Sequence, residues 1–143
     1  MLNTISSMKN IPLKKFIPGI AWFFVVLFLI SLPKEDMPEV GGWWGWLSKI
    51  YIDKWIHVGI FAILGLLFML PFAQSSLPVK TKWQYLVKIS IAVSIWGFIT
   101  ELIQLMVPGR SFDLLDWIAD SAGGIAALFF CKKYFLNQRF KQS

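Results

Sequence analysis

The sequence holds one cysteine and one histidine, and charged residues fill only 15% of its 143 positions. The lone Cys131 cannot close an internal disulfide, and its place at the end of an apolar run beside Lys132 and Lys133 gives it no catalytic role. Acidic side chains are scarcer than basic ones, eight against fourteen, which leaves a net charge of +6. With so little charge, a composition that is 57% hydrophobic and a mean hydropathy of +0.62 exclude an ordinary soluble domain and indicate a single bilayer domain.

What is present instead is four apolar runs, Phe16 to Leu32, Ile56 to Phe72, Ile89 to Val107 and Leu114 to Phe130. Each is long enough, or nearly so, to cross roughly 30 Å of hydrocarbon as a helix, which predicts an all-α integral membrane four-helix bundle. If all four span, the N-terminal lead, the connection from Ala73 to Lys88 and the basic tail 132–143 share one side. That side carries Lys9, Lys14, Lys15, Lys80, Lys82, Lys88, Lys132, Lys133, Arg139 and Lys141, and no acid. The other side carries Lys34, Lys49, Lys54, Arg110 and all eight carboxylates. The positive-inside rule then predicts cytoplasmic termini and two external connections. Basic residues that flank spans, without a soluble domain of their own, point to anionic inner-leaflet lipid and exclude nucleic acid as a partner. No small-residue cleavage site follows the first run, which therefore reads as a retained signal anchor. In the first external connection Pro33 and Pro38 prevent a continuous helix, and GGWWGWLSKIYI (41–52) reads as an interfacial segment, either an aromatic belt or a lid over a lipid site.

The costly residues lie on the other three helices. Asp53 and His57 are one turn apart at the start of the second, so the carboxylate can orient the imidazole as a general acid or base. The third helix aligns Val93, Gly97, Glu101 and Gln104, with Gly97 small enough for a neighbour to approach closely. Glu101 lies roughly 9 Å inside Val107 at 1.5 Å per residue, so it must be protonated, paired or wet. Pro108 and Gly109 break that helix. The fourth opens with Asp113, a natural cap, and sets Asp116, Asp120, Gly123 and Ala127 along one face, with Ser121 able to add a hydroxyl. Topology brings all these groups to the external end, where turning inward around a polar cavity, with Arg110 at its mouth, is the cheapest arrangement. A polar network that only holds the bundle together is the competing reading.

Asp53, Lys54 and His57, then Glu101 and Gln104, then Arg110, then Asp116 followed by a Gly-rich helix at Gly123 form a pattern that resembles the VanZ-like membrane proteins over roughly Lys49 to Phe130. One position departs from it, since Asp120 stands where that family commonly has Asn. The resemblance implies a multi-pass protein of a bacterial plasma membrane. It also implies a link to reduced teicoplanin-type glycopeptide susceptibility, and chemistry on lipid head groups or lipid-linked envelope precursors. The residues admit that class, as a phosphoester transferase or hydrolase. His57, Asp53 and Glu101 would supply acid–base catalysis, while Arg110, Gln104 and Lys54 bind the substrate, and Asp116 with Asp120 hold a divalent cation or manage protons. No obligatory nucleophile is visible, so activated water or a lipid-bound alcohol would attack. Two other functions stay open: a non-catalytic binder of lipid or lipoglycopeptide, and a proton relay, the latter opposed by the apolar inner halves of the helices.

Overall fold

A computed structural model of the chain describes residues 11–32 and 52–136. Four long helices carry the fold: α1 Ile17–Ile30, α2 Ile52–Ala73, α3 Val79–Gln104 and α4 Leu114–Cys131. No strand occurs among the described residues. A 3-10 turn, Leu13–Phe16, leads into α1, and a π turn, Lys132–Leu136, extends α4. All four helical segments are long and apolar enough to cross a membrane. The Trp-rich stretch up to Tyr51 and the tail beyond Leu136 lie outside the described residues.

Local chemistry explains the helix ends. Pro18 sits in the first turn of α1, where a missing N–H costs nothing. Pro78, in an extended conformation, starts α3. That start lies at Val79, well before Ile89, where the apolar run begins. Lys80, Thr81, Gln84 and Lys88 lower the hydropathy but are compatible with a helix. Lys82 is only 1% exposed, and its Nζ donates to Ala73 O at 2.9 Å. A lysine expected in a loop thus satisfies a carbonyl at the end of α2. The first residues of the expected basic tail, Lys132–Leu136, likewise continue the helix. At the other end α3 stops at Gln104, short of Val107, and Gly109 takes φ 74, a left-handed conformation that glycine adopts without strain. Asp113 caps α4, its side chain accepting from Leu115 N at 2.8 Å.

The bundle buries a group of polar side chains within an otherwise apolar core, and its outer surface is apolar as well. Glu101 and Asp120 are 0% exposed, and Gln104, Thr100 and Ser90 are buried, whereas Ile95, Phe98, Leu102, Ile118, Phe129 and Phe28 are all open at the surface. Water would reverse that distribution, and a lipid surround accounts for it. The main packing partner of α4 is α2, followed by α3, with α1 more loosely applied. The α2/α4 approach is tight at Gly123: a β-carbon there would stand 2.5 Å from Val58 O and 2.8 Å from Ala62 N. Gly97 does the same for α3, where a β-carbon would meet Asp120 Cβ at 2.7 Å, as its size suggests. Two hydrogen bonds tie α3 to α4 deeper in the bundle, between Ser94 Oγ and Ser121 Oγ at 2.7 Å and from Trp117 Nε1 to Ser94 O at 3.0 Å.

Candidate functional site

The first turn of α2 faces the start of α4, and Lys54 is the hub between them. Its Nζ lies 2.5 Å from Asp116 Oδ1, 2.6 Å from Asp113 Oδ2 and 3.1 Å from Asp53 Oδ2. The hydrogen bond from Lys54 holds the Asp113 carboxyl below its usual range, with Leu115 N–H helping. Lys54 was expected to bind substrate. In the structure it neutralises acids of its own chain, so Asp116 is occupied by an ammonium.

One turn further, His57 Nδ1 is 2.8 Å from Asp120 Oδ1, and Nε2 is 3.8 Å from Asp116 Oδ1. The partner is therefore Asp120, from α4, where the one-turn spacing suggested Asp53. Side chains lean toward the N-terminal end of their helix, which carries Asp53 outward to 58% exposure, while His57 points across the interface. Asp120 fits because Gly97 has no β-carbon: one there would stand 2.9 Å from Asp120 Oδ2. Asp120 is thus the residue that holds the one imidazole of the sequence. No period along a single helix could reveal a partner 63 positions away; the signal available was that both residues are costly at the same bundle end.

Glu101 completes the cluster from α3. Its Oε2 accepts from Asp113 N at 2.8 Å, joining the end of α3 to the cap of α4. His57, Glu101 and Asp120 each offer one ligand atom, and the three atoms lie within 4.8 Å of one another. The cation-capable set therefore differs from the expected Asp116 and Asp120: Asp116 is engaged by Lys54, and Glu101 and His57 take its place beside Asp120.

A cavity of about 140 Å³ lies beside the cluster, lined by His57, Gln104, Arg110, Ile60, Phe61 and residues of α1. Arg110 Nε donates to Leu32 O at 3.4 Å, reaching from the α3/α4 loop toward the end of α1. The sequence reading gathers Asp53, His57, Glu101, Gln104, Arg110 and Asp116 around one cavity; of these, His57, Gln104 and Arg110 line this one, and Asp53, Glu101 and Asp116 do not. It did not anticipate α1 as a wall. Lys54 and Asp113 do not line the cavity either.

Replacing Lys54 by methionine should leave three carboxylates without their shared cation. Breaking a fully buried pair costs about 3–5 kcal/mol. Here the partners are 13%, 41% and 58% exposed, so a loss of about 1–3 kcal/mol is expected in equilibrium unfolding in detergent. An unchanged midpoint would show that water already screens these charges.

Among known proteins, no curated protein and no solved structure matches the chain. The profile of the VanZ/LLP1 family does, over residues 4–137, a range that takes in all four spanning helices and every residue of the cluster. This multi-pass membrane chain belongs to the VanZ/LLP1 family.

Proposed function

We propose that the protein is a cell-envelope enzyme that transfers or hydrolyses the phosphoester of a lipid head group or a lipid-linked precursor, at the outer leaflet of a bacterial plasma membrane. One observation carries the reading: His57 lines a cavity together with Arg110 and Gln104, while its Nδ1 is tied to Asp120, a carboxylate buried at membrane depth. An imidazole held by a buried acid is fixed in tautomer and orientation, as proton-transferring histidines are. Arg110 supplies a planar donor set that suits phosphate. The largely apolar wall from α1 suits the first carbons of a lipid. The distribution of basic residues supports placing this end outside.

The chemistry balances with these groups. The oxygen of water or of a lipid-bound alcohol forms a bond to phosphorus, and the bond from phosphorus to the leaving oxygen breaks. His57 accepts the proton of the attacker and returns it to the leaving oxygen, while Arg110 holds the charge on the remaining phosphate oxygens. A changed head-group population at the outer surface is a route to the lowered teicoplanin-type susceptibility implied by the family resemblance.

The test is direct. Purified protein in vesicles is given labelled phospholipids and polyprenyl-phosphate lipids, and products are scored by mass. A head-group change in at least one lipid is expected. Lipid that co-purifies or binds saturably, with no product from any lipid tested, would make the protein a head-group binder and sink the enzymatic reading.

A further inference from the structure

Two buried oxygens of the cluster have no hydrogen-bond partner among the described residues. They are Glu101 Oε1 and Asp120 Oδ2, and both residues are 0% exposed. A buried carboxylate oxygen without a donor is expensive, and two on facing helices within one cluster ask for a shared cationic partner. The nearby ammonium does not serve: Lys54 is engaged by Asp53, Asp113 and Asp116. A protonated His57 would supply one positive charge for two carboxylates. A divalent ion would balance both and satisfy both orphan oxygens.

We propose that His57, Glu101 and Asp120 bind one divalent cation of the zinc or manganese class. The donor set is one imidazole and two carboxylates, which suits first-row divalent ions and leaves further coordination positions open. Two donors each about 2.1 Å from an ion stand at most about 4.2 Å apart. The 4.8 Å spread of the three ligand atoms closes to this with a movement of less than an ångström. The supporting contacts are already in place. Glu101 Oε2 is held by Asp113 N–H, so its orientation is set before any ion arrives, and Gly97 seats Asp120. The ion would take one nitrogen of His57 and leave the other carrying the ring hydrogen, a donor toward a phosphate oxygen in place of a base. Only this use of the ion rests on the head-group reading; the binding itself makes no assumption about substrate.

The test therefore uses metal alone. Tag-free protein in lipid nanodiscs is stripped with chelator and titrated with Zn²⁺ or with Mn²⁺, and bound metal is read by elemental analysis. About one ion per chain is expected, with affinity lowered by at least about 10-fold in Glu101→Gln and in Asp120→Asn. Cys131→Ser should bind as wild type does, which removes the lone thiol as the ligand. His57 is the only histidine, so its ring nitrogens give one unambiguous set of NMR signals. These should shift on metal addition to the wild type, a readout independent of whether the variants fold. A wild-type protein that takes up neither ion in stoichiometric amount overturns the proposal, as do ring signals unmoved by a bound ion. Turnover of a lipid by metal-free protein would remove the catalytic use and leave the binding site standing.

Discussion

Gly123→Ala should destabilise the bundle by about 3 kcal/mol, the upper end of what overpacking a close contact costs. The added methyl would stand 2.5 Å from Val58 O, 2.8 Å from Ala62 N and 3.1 Å from Phe61 C. All three are main-chain atoms, so no rotamer change relieves the clash, and α2 must move away from α4. That separation would also pull His57 from Asp120, because the crossing lies one turn below them. Gly59→Ala is the matched control: nothing lies within 4 Å of a β-carbon there, so it should be close to neutral. The comparison is made by equilibrium unfolding of both variants in the same detergent. Equal midpoints would mean that the two helices are not this close in the membrane.

His57→Ala should lower lipid turnover by about 100 to 10,000-fold while leaving lipid binding largely intact, since removal of a positioned acid–base group acts on the reaction barrier. Arg110→Lys should behave differently and weaken both, because a point charge cannot reproduce a planar, two-pronged phosphate contact. Binding is read by competition with a fluorescent lipid, and turnover by product mass. Should His57→Ala keep full activity in an assay that Arg110→Ala abolishes, proton transfer is not the task of His57, and head-group binding becomes the better account. Asp120→Asn sharpens the contrast. The amide keeps the shape and can still accept from Nδ1–H, but it cannot stabilise a positive ring, so the loss should fall on rate more than on binding.

The helices and the composition of the site were legible in the sequence because lipid imposes a severe rule: long apolar stretches must be helical, and polar groups inside them must find each other. Glu101, Asp116 and Asp120 stood out for that reason. What periodicity could not supply was the pairing across helices. The i, i+4 rule joins Asp53 to His57, yet Asp53 sits at the open first turn of α2 and pairs with Lys54, while one turn deeper His57 meets Asp120 across the interface. Hydropathy also truncated α3, since Lys82 looks like a loop residue until the carbonyl of Ala73 that it serves is seen. The pairing of Lys54 with Asp113 and Asp116 is likewise invisible to periodicity, because those partners are 59 and 62 positions away.

That last separation has a meaning in time. Chain growth at about 5–20 residues per second puts roughly 3–12 seconds between the synthesis of Lys54 and that of its partner Asp113. Through this interval the newborn α2 holds an ammonium with only its neighbour Asp53 beside it and an imidazole without Asp120, while Glu101 on α3 waits for the backbone N–H of Asp113. α4, made after α2 and α3, is therefore the helix that supplies the missing partners of both. A ribosome stalled before α4 would leave a half-inserted chain with uncompensated charge near the bilayer surface, a natural mark for membrane quality control.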